Sequence, residues 1–215
     1  MKITKAYIIR WIVFLIGLIV LSYGVVLTIV AELGVSPWDV LHLGIANATG
    51  MTPGTAVLVV SIFVIALVCI LMKSLPQVGT ILNMIVIGAF IDVFLLYDLI
   101  PDITQFYQKV FVLLIGIILF GGGAGLYLSS NMGAGPRDGL VLLIHLKKRW
   151  SVSRIKTVTE LLVLAIGAVL GGPVGFGTVV ISLTIGPVMG ASLDFWNDHL
   201  GKYMKDKENE YEVVN

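Results

Sequence analysis

The sequence predicts an all-α, polytopic membrane protein whose six transmembrane helices form two inverted three-helix repeats, each with a short Pro-x-Asp helix. Three observations support this prediction. Hydrophobic residues make up 58% of the 215 residues, and the mean hydropathy of +1.01 lies far outside the range of soluble domains. Six long apolar runs are spaced along the chain. Polar motifs in its two halves recur at an offset of 99 residues.

Composition and motifs exclude several function classes. The net charge of +1 gives no indication of nucleic-acid binding. Cys69 is the only cysteine, so the chain predicts neither an internal disulfide nor a thiolate metal site. Because no His-Glu-x-x-His motif, Walker A loop or dinucleotide fingerprint occurs, we expect no cofactor, no metal and no enzyme activity.

The apolar runs define the spans. They cover approximately residues 11–30, 55–72, 80–97, 110–128, 155–170 and 176–196. The first run is 20 residues long and lacks a small-residue cleavage site, so it predicts a membrane helix rather than a signal peptide. The fifth is the weakest, since Lys156 and Glu160 fall in its first turns, where they can pair at i, i+4.

Loop charges orient the spans, because basic residues favour the cytoplasmic side. With both termini in the cytoplasm, the inner segments carry Lys2, Lys5, Arg10, Lys73, Arg137, Lys147, Lys148, Arg149, Arg154, Lys202, Lys205 and Lys207. The outer segments carry Glu32, Asp39, Asp98 and Asp102, with Lys109 as their only basic residue. We therefore expect a multi-pass protein of the bacterial plasma (inner) membrane. A five-span variant would put the C-terminal lysines outside.

The internal repeat divides the chain. Residues 34–39 (Gly-Val-Ser-Pro-Trp-Asp) match residues 133–138 (Gly-Ala-Gly-Pro-Arg-Asp). Three spans per copy is an odd number, so the second copy must enter the membrane upside down. The predicted units are the first repeat at residues 1–100, the inverted repeat at 101–200, and a disordered cytoplasmic tail at 201–215.

Each motif predicts the start of a short helix. Ser36 suits the N-cap, Pro37 the first helical position and Asp39 the first turn, and Gly135, Pro136 and Asp138 repeat the pattern in the second copy. Gly34 and Gly133, with Pro37 and Pro136, are expected to be structural. Two alternatives remain. The short helices dip into the membrane around a cavity, or they lie flat at the interface, with Trp38 among headgroups and Arg137 on lipid phosphates.

The first alternative predicts a site between the repeats. Its substrate-binding residues would be Ser36, Trp38, Asp39, Arg137 and Asp138. Arg137 stands where the first copy has Trp38, so one half offers an extra cation and we expect a small, anionic solute. Asp92 and its repeat partner Asp194 are acids within apolar runs. Asp92 is the candidate coupling acid, whereas Asp194 is better explained as a solvated residue at a helix end.

These features favour a secondary transporter or channel-like permease. The rival hypothesis is a non-transporting accessory or scaffold protein, in which glycine faces dock a membrane partner or form a homodimer. A third alternative is an intramembrane hydrolase using Ser192, because residues 190–193 (Gly-Ala-Ser-Leu) are similar to a serine protease site. No histidine is clearly placed to serve as its base.

The chain, and residues 34–39 and 133–138 above all, resembles the YczE-like bacterial membrane proteins of the wider YczE/YyaS/YitT group. The resemblance covers nearly all of residues 7–197. It implies a small protein of the bacterial plasma membrane and carries no biochemical activity over to this chain.

Overall fold

A computed structural model describes residues 4–97, 103–133 and 135–204. Every regular element in these ranges is an α-helix, which confirms the all-α prediction. The helices are α1 (Lys5–Val30), α2 (Pro37–Thr49), α3 (Pro53–Met72), α4 (Val78–Leu96), α5 (Phe106–Ser129), α6 (Pro136–Lys148), α7 (Val152–Val169) and α8 (Phe176–Met204). Several residues used in the charge and motif patterns lie outside the described residues, namely Lys2, Asp98, Asp102, Ala134, Lys205 and Lys207.

Each predicted apolar run corresponds to one helix, but not all six helices qualify as spans. Within the described ranges, the five helices α1, α3, α4, α5 and α8 are long and apolar enough to cross a membrane. Helix α7 has only 18 residues and carries Arg154, Lys156 and Glu160. Helix α8 continues to Met204, four residues into the segment predicted as tail, whose remainder lies outside the described residues.

Helices α1 and α5 pack against each other at the centre of the protein, with α4 beside α1 and α8 beside α5. Glycines in both helices allow the two backbones to approach closely. The closest neighbours are Tyr127 for Gly17, Phe120 for Gly24, Thr28 for Gly116 and Leu21 for Gly123. As the residue number rises along α1, its partner's number falls along α5, so the two helices run antiparallel.

The short helices α2 and α6 are tucked between the longer ones, with α2 against α7 and α3, and α6 against α3 and α7. Ser36 is the N-cap of α2 and Pro37 its first residue. Residues 37–44 of α2 are all buried. The flat interfacial alternative therefore does not fit α2. In helix α6 only Pro136, at its start, and Leu143, in its middle, are buried, and its last turn is exposed.

Contacts between helix ends show which ends lie together. The Arg10 guanidinium donates hydrogen bonds of 2.8 Å and 2.6 Å to the Met204 carbonyl, which places the start of α1 beside the end of α8. At the opposite end of α1, the Lys109 ammonium donates a 2.5 Å hydrogen bond to the Glu32 carboxylate. This bond and the positive charge of Lys109 lower the pKa of Glu32.

Candidate functional site

The two Pro-x-Asp motifs meet in the interior. From the start of α6, the Arg137 guanidinium reaches the start of α2 and lies 3.8 Å from Asp39 Oδ1. The same guanidinium stacks over the Trp38 ring, 4.9 Å from its centroid. Trp38 and Arg137, which are 99 positions apart in the sequence, therefore form one cluster with Asp39. The cluster is held by an ion pair and a cation–π contact.

Asp39 is the most heavily bonded residue of this cluster. Its side chain is buried, and Ser36 Oγ donates a 2.5 Å hydrogen bond to Oδ2. His42 Nδ1, one helical turn later, lies 3.2 Å from Oδ1. A buried carboxylate is costly unless partners replace its lost hydration. Ser36, His42 and Arg137 together supply those partners.

The start of α6 is built differently. Its N-cap is Gly135, which has no side chain to cap the helix. Three polar side chains surround this glycine: a Cβ placed on it would lie 3.5 Å from Asn83 Oδ1, 3.5 Å from the Tyr127 hydroxyl and 3.8 Å from Asp138 Oδ2. Asn83 is 3% exposed, and its Nδ2 group is buried without a hydrogen-bond partner in the described part of the chain.

A cavity of about 570 Å³ connects these groups. Its polar lining includes Trp38, Asp39, Asn83, Tyr127, Arg137, Asp138, Lys156 and Glu160. Its apolar lining includes Leu21, Val25, Val57, Ile87, Phe120 and Met189. Pockets of this size with apolar walls and a few convergent polar groups are typical of small-molecule sites. The cavity draws its lining from both halves of the chain.

The structure brings together four of the five predicted substrate-binding residues on this cavity, namely Trp38, Asp39, Arg137 and Asp138. Ser36 lies behind Asp39 and supports it through the hydrogen bond described above. Of the residues predicted to be structural, Pro136 lines the cavity, whereas Pro37 does not.

Gly34 and Gly133 lie where the chain turns into each short helix. Their φ angles of +102° and +144° fall in a region that favours glycine. Gly34 lies against the backbone of Gly175, just before α8, and Gly133 lies against Gly79 in the first turn of α4. Both glycines therefore fix a short helix against the start of a long one.

Asp92 lies apart from the cavity lining. Its Oδ1 accepts a 2.7 Å hydrogen bond from the Gly54 N–H, and its Oδ2 accepts a 2.5 Å hydrogen bond from the Thr52 hydroxyl. Thr52 is the N-cap of α3, so both carboxylate oxygens are used at the start of that helix. This geometry favours a capping role over the predicted coupling role.

We predict that Asp92→Ala destabilises the protein by about 1–2 kcal/mol, because it removes two hydrogen bonds from the start of α3. Thermal unfolding of the purified protein in detergent measures this change. Asp194→Ala is the matched control, since Asp194 is the repeat partner of Asp92 but is exposed. Equal thermal stability of both variants would contradict the capping role.

The hydrolase alternative gains no support from the geometry around Ser192. Its hydroxyl donates a 2.8 Å hydrogen bond to the Gly122 carbonyl, at the contact between α8 and α5. The histidines are engaged elsewhere: His42 with Asp39, His145 with the Trp150 carbonyl and His199 with the Phe195 carbonyl. Within residues 4–97, 103–133 and 135–204, no three His, Cys, Asp or Glu side chains group in a way that would hold a metal ion.

Several cavity residues were missed or undervalued in the sequence. Tyr127 gave no polar signal because it lies within an apolar run. Asn83 gave only a weak signal, because a single amide within an apolar run is also typical of packing between membrane helices. Lys156 and Glu160 were assigned to a helix end, yet both line the cavity. Their charges in a weak span were the one available signal, since charged residues in membrane helices generally face a protein interior or water.

The comparisons with known proteins support a membrane protein of unknown function. The model of the family of unknown function DUF6198 matches residues 8–193. The chain belongs to this family. Among similar proteins, the uncharacterised membrane protein YczE of Bacillus subtilis is 35% identical over 187 residues, which cover 86% of each chain.

Two other relatives extend the comparison beyond YczE. An uncharacterised protein of Haemophilus influenzae is 36% identical over 82% of this chain and 80% of its own. The uncharacterised protein YyaS of Bacillus subtilis is 28% identical over 77% of this chain and 83% of its own. No solved structure matches the chain. The comparisons therefore show a DUF6198 membrane protein similar to YczE, as the sequence resemblance implied.

Proposed function

We propose that this DUF6198 protein is a secondary transporter or channel-like permease that moves a small solute across the bacterial plasma membrane. The observation that supports it is the convergence of both Pro-x-Asp helix starts on one polar cavity, with Arg137 bridging to Trp38 and Asp39. Transporters built from repeats bind solutes at such interfaces, where helix ends and polar groups lie in the protein interior. The proposal assigns the chain no catalytic role.

The contacts between α1 and α5 support an inverted repeat. Adding the repeat offset of 99 to Gly17 gives Gly116, and subtracting it from Tyr127 gives Thr28. The contact of Gly17 with Tyr127 thus becomes the contact of Gly116 with Thr28. The same operation converts the contact of Gly24 with Phe120 into that of Gly123 with Leu21. Such an exchange is what a two-fold axis between the halves would produce.

The packing of the short helices supports the same symmetry. Helix α2 of the first half packs on α7 of the second, and α6 of the second packs on α3 of the first. We therefore propose two repeats, at residues 1–100 and 101–200, each with a long helix, a short re-entrant helix and two further spans. The short helices would enter from opposite sides and meet at the cavity.

A sixth span follows if α7 crosses the membrane. Its polar residues Lys156 and Glu160 line the cavity instead of facing lipid, which explains why α7 has too many charges for an average apolar helix. With six spans both termini lie on one side, and the Arg10–Met204 hydrogen bonds support this arrangement. The basic residues favour the cytoplasm for that side.

Flux measurements test the proposal. Proteoliposomes containing the full chain are incubated with a bacterial small-molecule extract, and accumulated solutes are identified by mass spectrometry. We expect at least one solute to enter with the native chain, and uptake to fall at least about tenfold with Asp39→Asn or Asp138→Asn. Asp194→Asn, outside the cavity lining, is the control. Equal solute levels in protein-free liposomes would contradict a transport role and favour an accessory protein.

A further inference from the structure

We propose that the solute of this cavity is an amphiphilic organic cation, with its positive group at Asp138, an adjacent hydrogen-bond acceptor at Asn83 and an apolar body against the cavity wall. This inference rests on the proposed function and names the substrate class of the same site. It replaces the anionic solute expected from Arg137 in the sequence.

The positive charge of Arg137 is already paired within the protein. Arg137 lies 3.8 Å from Asp39 and covers the Trp38 ring, so its positive charge is opposed by a buried carboxylate. Asp39 is in turn occupied by Ser36 and His42. Neither member of this pair is left without a partner, and an anion would have to compete with Asp39 for the guanidinium.

Asp138 is in a different position. It lies on the cavity beside Arg137, yet no Lys, Arg or His nitrogen in the described residues lies within 4 Å of its carboxylate. Lys156 and Arg137 act on Asp138 through their charge without contacting it, and Glu160 is the third carboxylate on the lining. The lining carries three carboxylates against two cations, so one negative charge is in excess. A bound cation at Asp138 would balance it.

Asn83 supplies a second, independent observation. Its Nδ2 group is a donor that is buried on the cavity wall, and among the described residues it makes no hydrogen bond of good geometry, with the Tyr127 hydroxyl as its neighbouring polar group. Burying an amide without a hydrogen bond is costly, so a ligand acceptor is the expected partner. Asn83 and Asp138 both lie around Gly135. The acceptor and the positive group of the solute must therefore be neighbours.

The rest of the cavity wall is apolar and indicates which kind of body the solute has. Leu21, Val25 and Phe120 come from the central helices, and Val57 and Ile87 from α3 and α4. These side chains offer only apolar contacts, which favour an aliphatic or aromatic body of the solute. The volume of about 570 Å³ accommodates such a body together with its charged head.

A charge series on one apolar body tests the inference. L-phenylalanine amide, L-phenylalanine and N-acetyl-L-phenylalanine share a benzyl group and a carbonyl acceptor, but carry net charges of about +1, 0 and −1 at a pH of about 6. Binding of each compound to the full chain in detergent is measured by calorimetry. We expect the amide to bind at least about tenfold more tightly than the acetylated anion, because only the amide presents a net positive charge to Asp138.

Variants locate the effect within the cavity. Asp138→Asn should remove the preference for the amide, and Asn83→Leu should weaken all three compounds, since all share the carbonyl. Asp194→Asn should change none of the affinities. Tighter binding of the acetylated anion to the native chain, no binding of any compound, or an unchanged preference in Asp138→Asn would overturn the inference. The series on the native chain remains decisive if a variant fails to fold.

The failure of this inference and that of the proposed function are distinguishable in proteoliposomes. Binding of the amide without its uptake would contradict the transport role and leave the cation site standing. Uptake of the acetylated anion in place of the amide would uphold transport and overturn the cation site.

Discussion

Gly123→Ala is expected to destabilise the protein by about 3 kcal/mol or more. A methyl group at this position would overlap the backbone of Leu21 on the facing helix, and backbone atoms cannot rotate away as a side chain can. The two central helices would have to separate, which would disturb their neighbours α4 and α8 as well. Thermal unfolding in detergent and the yield of folded protein measure the effect.

The adjacent residue provides the matched control. A methyl group on Gly122 would meet no atom within 4 Å. Because alanine favours the helix over glycine by about 0.5–1 kcal/mol, Gly122→Ala should be neutral or slightly stabilising. Gly24→Ala, at the position related to Gly123 by the repeat, should cost about as much as Gly123→Ala. Similar stabilities for Gly122→Ala and Gly123→Ala would contradict the close crossing of α1 and α5.

Arg137→Gln should have the second-largest effect and should act on both stability and transport. It leaves the buried Asp39 without its cationic partner and removes the cover from Trp38. The Arg137 side chain is 38% exposed, so we expect a destabilisation of about 1–3 kcal/mol, below the cost of breaking a fully buried pair. Solute uptake should fall at least about tenfold. Thermal unfolding and proteoliposome flux measure the two effects.

Arg154→Gln is the control for the cation–π contact. Arg154 also stacks on a tryptophan, Trp150, at 4.6 Å, but it is exposed and lies outside the cavity lining. Its replacement should leave flux unchanged. A double-mutant cycle of Arg137→Gln with Asp39→Asn then isolates their coupling energy. Purely additive effects on stability would mean that the pair does not hold the halves together.

Much of the fold could be predicted because membrane helices have strong local signals. The long apolar runs and the caps at Ser36 and Pro37 depend only on nearby residues, so they located the helices, although α1 begins six residues earlier and α8 ends eight residues later than the apolar runs. Helix α7 was harder to place as a span because its charged residues obscure its apolar face. The neighbours of those charged side chains are set by how helices distant in the sequence pack together. The hydrophobic periodicity of α7 does not contain that information.

The cavity also combines residues with a local sequence signal and residues that only the packing of the helices brings there. Asp39, Arg137 and Asp138 were identifiable because they belong to a repeated motif. The partners of those residues come from elsewhere in the chain: Asn83 from α4 and Tyr127 from α5 lie there only because the helices fold over the start of α6. Asp92 resembled a functional acid in the sequence, whereas its hydrogen bonds to α3 are a tertiary feature.

The paired glycine contacts of α1 and α5 have an evolutionary consequence under the proposed symmetry. An interface that maps onto itself by a two-fold rotation is isologous, like that of a symmetric homodimer. If an ancestral half-length chain could insert in both orientations, two oppositely oriented copies would already have formed the complete interface now made by α1 and α5. Gene fusion would then have released each half from serving both orientations. Divergence such as a tryptophan in one motif and an arginine in the other would have become accessible only after that step.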